Sequence, residues 1–396
     1  MPLRVLYLDH TAKIGGGEIA LVNLLHHIDR SQVFPIALLF TKGPLLQRLG
    51  VCCDTHVIPL SDAALTAKKD GMGWRSLLQL QAGWSVLLQV LRVARFAKKM
   101  QVDLIHTNSL KADIIGGLAG RVAGIPVVWH VRDRIEADYL PAAVVHGFRI
   151  LGRLLPDFVI ANSSATLATL QLRGKRRGVA IASGIDANGC VVHDGCTVVA
   201  LKRAPEDSKA RLRVGLIGRI SPWKGQDVFI KAAALLRHTH PNAKFEIVGA
   251  PLFAETEYEA GLHKLCQELG LEDAVEFTGF VENVGAHIAE LDIVVHASTT
   301  GEPFGQVIIE GMAKEKPVVA TNGGGVPEIV EHGITGLLVP MGDVPRMAEA
   351  IDYLLKHPEI ATAMGVRGRE RVQTHFTIQK TARMVEAVYR DVIAAC

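Results

Sequence analysis

The chain contains 396 residues, of which 49% are hydrophobic and 21% charged, and its formal net charge is +3. This composition excludes a disordered or fibrous protein, and at about 150 residues per domain the length favours two domains. No run of about eighteen apolar residues is free of charge, so we expect no membrane-spanning helix. The N-terminus MPLRVLYLDH is typical of a first strand and not of a secretion leader, so we expect a cytoplasmic protein.

Charge is distributed unevenly along the chain. Residues 1–191 carry 22 Lys and Arg against 13 Asp and Glu, whereas residues 192–396 carry 21 against 27. A basic first half favours contact with something anionic, such as a membrane surface or an acidic substrate, although ordinary solvated charge explains it equally well. Nucleic acid is disfavoured, because the basic residues are dispersed and only 5% of the chain is aromatic.

Short β-branched apolar runs alternate with longer segments of helical spacing. The runs predict strands buried on both faces: RVLYLD, PIALLF, VDLIH, PVVWHV, DFVIA, RVGLIG, KFEIVG, VEFTG, DIVVH, PVVAT and GLLVP. Apolar residues recur with helical spacing in residues 18–28, 109–121, 226–238, 305–315 and 343–356. This alternation predicts parallel sheets with helices on both faces. Because the pattern pauses between about 184 and 211, we predict two doubly wound domains, residues 1–186 and 187–376.

Residues 76–100 predict a long helix rich in Leu and Val. Arg92, Arg95, Lys98 and Lys99 gather at its C-terminal end. Cations there suit the helix dipole, and an apolar stripe suits packing on a sheet, which is the simpler interpretation. The alternative is that the helix lies on an anionic bilayer, with the protein peripheral at the inner face of the cell membrane.

Ligands of open α/β sheets bind beyond the carboxyl ends of the strands, so the loops there are candidate sites. Gly15 and Gly16 follow the first strand and precede a helix, where backbone amides can approach an anion. This glycine run alone is weak evidence and lacks the spacing of a dinucleotide site. Arg219 and Lys224 follow the strand RVGLIG, and together they could neutralise a diphosphate.

The segment GEPFGQVIIEGMA places Glu302 and Glu310 eight positions apart after the strand DIVVH. Pro303 predicts the first turn of a helix, with Glu302 just outside that helix and Glu310 within it. The amides near Gly305 to Val307 would then face an anion, while the carboxylates would accept hydrogen bonds from hydroxyls. The pattern therefore favours phosphate on the amides and sugar hydroxyls on the glutamates. For either glutamate alone, a capping or surface role is the alternative.

His130 lies at the carboxyl end of the strand PVVWHV. A histidine there is often structural, but it can also donate to a ligand hydroxyl or phosphate, or move a proton. No Asp-x-Asp, His-Glu-x-x-His, Cys-x-x-Cys or Gly-x-Ser-x-Gly pattern occurs, so a metal-bridged diphosphate, a zinc hydrolase and a serine hydrolase lose support. We expect neither a metal nor another cofactor.

The segments EPFGQVIIEGMA, GRISPWKG, TNGGGVPEIV and GGGE together resemble the retaining glycosyltransferases of family GT4. The resemblance covers nearly the whole chain, and its most specific element is the E-x7-E motif that Glu302 and Glu310 fill. It implies the GT-B fold, in which two Rossmann-like doubly wound domains face each other across a cleft. The N-terminal domain would bind the acceptor and carry the final helix, residues 377–396, while the C-terminal domain would bind a nucleotide sugar.

The resemblance also implies a role for each residue that matches a motif. Arg219 and Lys224 would bind the donor diphosphate, Glu310 the ribose hydroxyls and Glu302 the transferred sugar. His130 would contact the sugar and complete a catalytic set with Glu302, Arg219 and Lys224. The other donor-binding residues implied are Gly15, Gly16, Phe280, Val281, Phe304, Gly305, Gln306 and Val307. In the turn before the second domain, Ser183 replaces the Asn of typical relatives, and we expect only a local effect.

The implied activity is metal-independent transfer of a hexose-type sugar with retention of configuration. The donor would be a nucleotide sugar based on UDP or GDP, and the acceptor a glycan, either lipid-linked or a polysaccharide intermediate. Two alternatives remain: a nucleotide-sugar-binding partner protein without transfer activity, and a GT-B-like nucleotide-sugar epimerase. A dehydrogenase ranks last, because PIALLFTKG lacks the acidic ribose-binding residue.

Overall fold

The computed structural model describes residues 1–60, 76–172, 178–186, 212–251 and 255–396, with the backbone alone described for 76–82. The chain forms two compact units. The first contains Met1–Gly184 together with Ile378–Cys396, and the second contains Ile185–Thr377. The boundary predicted from the sequence lies after Asp186, with the final helix assigned to the first domain.

The first unit is built on a parallel sheet whose described strands follow the order β3-β2-β1-β4-β5-β6-β7. These strands are β1 (Leu3–Asp9), β2 (Val33–Leu39), β3 (Asp54–Val57), β4 (Leu104–Thr107), β5 (Val127–Val131), β6 (Phe158–Ala161) and β7 (Gly178–Ala180). All five strands predicted here form, and β3 and β7 are additional strands at the two edges of the sheet.

Helices cover both faces of this sheet. They are α1 (Gly16–His27), α2 (Pro44–Gly50), α3 (Ser76–Lys99), α4 (Leu110–Ala123), α5 (Ala142–Leu154), α6 (Ser164–Thr169) and the terminal helix (Ile378–Ala394). Leu6 and Leu8 of β1 belong to a core cluster that includes α3 and α4 residues. Val5 and Tyr7 point to the opposite face and share a cluster with α1 and the terminal helix. This division follows from the alternation of side chains along a strand.

The second unit has a parallel sheet in the order β10-β9-β8-β11-β12-β13. Its strands are β8 (Arg213–Ile217), β9 (Lys244–Val248), β10 (Val275–Gly279), β11 (Ile293–His296), β12 (Val318–Thr321) and β13 (Leu337–Val339). Its helices are α7 (Gln226–Leu236), α8 (Thr256–Glu268), α9 (Val284–Glu290), α10 (Gln306–Ala313), α11 (Val326–Ile329), α12 (Val344–Lys356) and α13 (Pro358–His375). Both sheets confirm the predicted doubly wound α/β class.

The parallel sheets determine where a site can form. All strands of a parallel sheet end at the same edge, so the loops that follow β8, β11 and β12 lie next to one another. The loop after β8 contains a short 3-10 helix, Pro222–Lys224. The loops after β11 and β12 carry Glu302 and Gly324, which form an isolated parallel bridge.

Candidate functional site

Glu302 is the centre of a polar cluster in the second unit. Its Oε2 accepts hydrogen bonds from Lys224 Nζ at 2.7 Å, Ser298 Oγ at 2.9 Å and His296 Nε2 at 3.1 Å. Burial would raise the pKa of this carboxyl, but the Lys224 ammonium and the His296 contact outweigh it and hold the pKa well below its usual range. Glu302 is therefore ionised at neutral pH, with one of its oxygens already committed to three donors.

Two glycines bring Lys224 and Glu302 together. Gly225 follows the 3-10 helix with a φ of 70°, and a Cβ there would lie 2.0 Å from the Ala297 carbonyl oxygen at the end of β11. Gly324 has a φ of 61°, and a Cβ there would lie 2.0 Å from the Glu302 carbonyl oxygen. Only glycine combines such positive φ values with so close a backbone approach. The loops after β8 and β12 can therefore press against the loop that carries Glu302.

Helix α10 begins later than the sequence predicted. Its first residue is Gln306 and Gly305 precedes it with a φ of 111°, so Pro303 lies in the loop and not in the first helical turn. The prediction for Pro303 was wrong because the left-handed backbone at Gly305 turns the chain into the helix at that point. Phe304 is buried in the same loop. Gln306 and Val307 occupy the first helical turn, where backbone N–H groups lack helical acceptors.

Glu310 lies one turn further along α10 than Gln306, so their side chains share a face of the helix. Glu310 is half-buried, and the loss of hydration raises the pKa of its carboxyl to about 7, against the effect of the neighbouring Gln306 amide. The two glutamates of the E-x7-E motif thus have opposite electrostatic environments. Glu302 is held ionised by Lys224, whereas Glu310 titrates close to neutral pH.

The remaining predicted residues of the second unit are at the same edge of its sheet. Arg219 follows β8, and its Nε lies 3.7 Å from Glu255 Oε2. Phe280 and Val281 follow β10, and the Phe280 side chain is 73% exposed. Lys224 therefore forms an ion pair with Glu302, whereas Arg219 pairs with a different carboxylate, that of Glu255.

His130 in the first unit is the fourth of the five residues of β5 and is only 1% exposed. Burial, with the Arg132 guanidinium nearby, lowers the pKa of the ring well below its usual value, so His130 is a neutral imidazole at pH 7. Its Nε2 is buried and has no hydrogen-bond partner among the described residues. A buried polar atom of this kind is a candidate contact for a ligand.

Arg132 links His130 to the other predicted loop of the first unit. Its Nε donates to Asn108 Oδ1 at 2.7 Å and its Nη1 to Ser183 Oγ at 3.0 Å. Asn108 Nδ2 in turn donates to the Gly17 carbonyl oxygen at 3.3 Å, beside Gly15 and Gly16. Ser183, where typical relatives have Asn, thus accepts a hydrogen bond from a buried arginine.

Sequence reasoning gave no role to several buried polar residues of these sites. They are Asp9, His106, Asn108 and Arg132 in the first unit, and His296 and Ser298 in the second. A signal was present, because each lies at or just beyond the carboxyl end of a strand and is polar where an apolar residue would be expected.

Neither a metal cluster nor a membrane span is found in the described part of the chain. No three His, Cys, Asp or Glu side chains among the described residues are grouped so that they could hold a metal ion. Outside the gaps at 61–75, 173–177, 187–211 and 252–254, no helix is both long enough and apolar enough to cross a bilayer.

Family models match both halves of the chain. The model Glycosyltransferase Family 4 matches residues 14–188, and Glycosyl transferases group 1 matches residues 201–371. Two Rossmann-like units with an E-x7-E cluster at the carboxyl edge of the second sheet define a glycosyltransferase of the GT-B class. The chain belongs to glycosyltransferase family GT4. It is an enzyme that transfers a sugar from a nucleotide-sugar donor.

Individual relatives agree with this assignment. The D-inositol 3-phosphate glycosyltransferase of Acidothermus cellulolyticus is 30% identical over 328 residues, which cover 77% of this chain and 70% of that protein. A GDP-mannose-dependent alpha-(1-6)-phosphatidylinositol monomannoside mannosyltransferase of Mycobacterium tuberculosis is 38% identical over 170 residues, 41% of this chain and 43% of the relative. The crystal structure of Anabaena Alr3699/HepE in complex with UDP and glucose has a TM-score of 0.81 and 28% identity, covering 98% of this chain and 99% of that one.

Proposed function

We propose that this protein transfers a hexose-type sugar from a UDP- or GDP-sugar to a glycan acceptor, lipid-linked or polysaccharide, with retention of the anomeric configuration and without a metal ion. The observation that carries the proposal is the Lys224–Glu302 pair beside the first turn of α10. A cation for a diphosphate and an acceptor for sugar hydroxyls are thereby held side by side. The HepE structures with UDP and glucose support a nucleotide-sugar donor.

Stabilisation of the leaving diphosphate is the main catalytic effect in this mechanism. Lys224 carries three N–H donors and uses one of them on Glu302, so the others are available to phosphate oxygens. Together with Arg219 and the amides of Gly305, Gln306 and Val307, it would offset the negative charge that develops as the bond between the sugar and the diphosphate breaks. Metal independence is proposed because these groups supply the charge that a divalent ion would otherwise supply.

Retention follows if the acceptor attacks from the face that the diphosphate leaves. The acceptor oxygen bonds to the anomeric carbon as the donor bond breaks, and the acceptor proton passes to an oxygen of the leaving diphosphate. No protein side chain then has to act as a strong base, in keeping with a neutral His130 and an ion-paired Glu302. Glu302 would accept hydrogen bonds from the sugar hydroxyls.

The other predicted residues bind the donor in this proposal. Glu310 would accept hydrogen bonds from the ribose hydroxyls, which favour its ionised form. Phe280 and Val281 would border the base, and Phe304 would support the amides that follow it. Gly15, Gly16 and His130 would be the contribution of the first unit.

Thermal-shift measurements with UDP, GDP and ADP test the donor site. We expect one nucleotide to raise the melting temperature, equally with and without EDTA. At 100 times its Kd, the nucleotide should add about 2.7 kcal/mol to the free energy of unfolding. Lys224→Ala should abolish the shift, because the diphosphate loses its cation. Lys231→Ala, which removes an exposed lysine paired with Asp227, should keep it. Binding of no nucleotide, or binding only without EDTA, would contradict the donor site or its metal independence.

We further propose that α3 attaches the enzyme peripherally to an anionic membrane. Val90, Val93, Ala94 and Ala97 on one face of this helix are buried in the core of the first unit. The opposite face is exposed and has two parts: an apolar part with Trp84, Leu87 and Leu88, and a basic part with Arg92, Arg95, Lys98 and Lys99. Apolar anchors next to cations are the chemistry that anionic bilayers bind, and such contact would suit a lipid-linked acceptor.

Sedimentation with phosphatidylserine vesicles at low salt tests the membrane contact. Each cation near the surface contributes about 1 kcal/mol, so Arg92→Gln with Arg95→Gln should weaken binding by about 30-fold. Lys380→Gln with Arg383→Gln removes the same charge from exposed positions of the terminal helix and should have little effect. Equal losses in both variants, or a wild-type protein that stays in the supernatant, would refute the proposal.

A further inference from the structure

His296, the last residue of β11, is buried beside the Glu302 carboxylate. Both nitrogens of its ring have polar neighbours. Nε2 lies 3.1 Å from Glu302 Oε2 and 3.1 Å from Ser298 Oγ, and Nδ1 lies 3.3 Å from Thr321 Oγ1. Whether each neighbour donates or accepts determines which ring nitrogens carry a proton.

The neighbours of Nε2 both require a donor. Glu302 is ionised, so its carboxylate oxygen only accepts hydrogen bonds. The Ser298 hydroxyl has one proton, which it donates to the same Oε2 at 2.9 Å, so Ser298 Oγ can only accept from the ring. A lone pair on Nε2 would face two acceptor oxygens. Nε2 therefore carries a proton.

The neighbour of Nδ1 also requires a donor. The buried Thr321 hydroxyl donates its one proton to the Ser298 carbonyl oxygen at 2.9 Å, a shorter contact than the 3.3 Å to His296 Nδ1. Thr321 Oγ1 then presents only lone pairs to the ring, so this contact is a hydrogen bond only if Nδ1 donates. A lone pair on Nδ1 would leave either a repulsive contact or an unsatisfied carbonyl.

A histidine with protons on both nitrogens is an imidazolium cation. We propose that His296 is an imidazolium at neutral pH, and that it is the second cation, after Lys224, that offsets the charge of Glu302. Of the elements around the ring, the loop after β8 contributes Lys224, the loop after β11 contributes Glu302, and β12 contributes the uncharged Thr321. The contact with Glu302 gives the buried cation the opposite charge that it requires.

The consequence for donor binding rests on the proposed function. A carboxylate beside a diphosphate is unfavourable by itself, because two anions repel each other. Lys224 and His296 are two cations against the one anion of Glu302, so the cluster has one net positive charge. A neutral His296 would leave only the Lys224–Glu302 pair, whose charges cancel. The imidazolium therefore allows a sugar-binding carboxylate to lie next to the diphosphate site.

The test is His296→Gln, in which the amide can still donate to Glu302 but carries no charge. The matched control is His287→Gln in α9. His287 Nε2 lies 2.8 Å from Glu246 Oε2, and Arg213 pairs with the same carboxylate at the amino end of β8, so the control also removes a histidine from a carboxylate that has a second cation. Proton–nitrogen NMR spectra of 15N-histidine-labelled protein report the protonation of each ring nitrogen, with the His296 signal assigned by its loss in His296→Gln. Binding is measured with UDP, UMP, GDP and GMP.

In the wild type at neutral pH, we expect protons on both nitrogens of His296. His296→Gln should weaken binding of the preferred nucleoside diphosphate about tenfold and of its monophosphate about threefold, whereas His287→Gln should change neither. A neutral His296 ring would overturn the proposal, as would equal losses for the diphosphate and the monophosphate. If the wild type bound none of the four nucleotides, the donor assignment would fail while the NMR spectrum still decided the charge of His296.

Discussion

Glu302→Gln is expected to lower the rate of sugar transfer by about 100- to 1,000-fold. Lys224, Ser298 and His296 all donate to Oε2 of the carboxylate. A glutamine can satisfy them only with its single oxygen, which puts its NH2 group where, in the proposed function, the second carboxylate oxygen would accept hydrogen bonds from the sugar. The substitution also removes the negative charge that would stabilise a sugar ring becoming positive in the transition state. In either orientation, the glutamine amide therefore cannot replace all the hydrogen bonds that the carboxylate would accept.

Glu246→Gln is the matched control for this prediction. Glu246 is a buried carboxylate of the same unit that accepts hydrogen bonds from Arg213 and His287, near the amino ends of the strands. Each variant should lose about 1–3 kcal/mol in the free energy of unfolding measured in urea. Only Glu302→Gln should lose turnover of the donor that the wild type uses. A Glu302→Gln enzyme within threefold of the wild-type rate would show that this carboxylate is not part of the reaction.

In the first sheet, the strands that the sequence predicted are the interior strands, with a neighbour on each side. β1, β4 and β5 lie in the middle of the first sheet, where continuous apolar runs are required, and those runs are visible in the sequence. β3 and β7 are edge strands with the sequences DTHV and GVA. These two strands have a neighbour on one side only and are less buried, and no apolar run distinguishes them from a loop. The two edge strands of the first sheet were therefore missed for a physical reason, whereas the edge strands β10 and β13 of the second sheet were predicted from the runs VEFTG and GLLVP.

The candidate site was predictable in its residue types but not in its pairings. Lys224 and Glu302 are 78 residues apart in the sequence. The parallel pairing of β8 with β11 brings the loops after these strands together, so that Lys224 Nζ lies 2.7 Å from Glu302 Oε2. The family resemblance implied separate groups of the donor for these side chains, the diphosphate for Lys224 and the transferred sugar for Glu302. The folded chain pairs them with each other, so in the proposed function the donor would enter a site that already contains an ion pair. The segment TNGGGVPEIV was singled out only by its resemblance to the family. Its structural role is the bridge between Gly324 and Glu302, which only the folded chain shows.

Gly324→Ala is expected to reduce the free energy of unfolding by about 2–4 kcal/mol and also to impair turnover in the protein that remains folded. The new Cβ would lie 2.0 Å from the Glu302 carbonyl oxygen and 2.7 Å from its amide nitrogen, both backbone atoms. Gly324 and Glu302 must therefore separate. That separation loosens the loop holding the Glu302 carboxylate against Lys224, so stability and catalysis fall together.

Gly342→Ala separates this clash from the conformational effect of any alanine at positive φ. Gly342 has a φ of 73°, similar to the 61° of Gly324, but no atom lies within 4 Å of a Cβ built there. It should lose only about 1 kcal/mol, measured by urea denaturation, and keep its turnover. Equal losses in both variants would mean that Gly324 is needed only for its backbone angle. A larger loss in Gly324→Ala, with weaker nucleotide binding, would show that the close approach of two loops holds Glu302 in position.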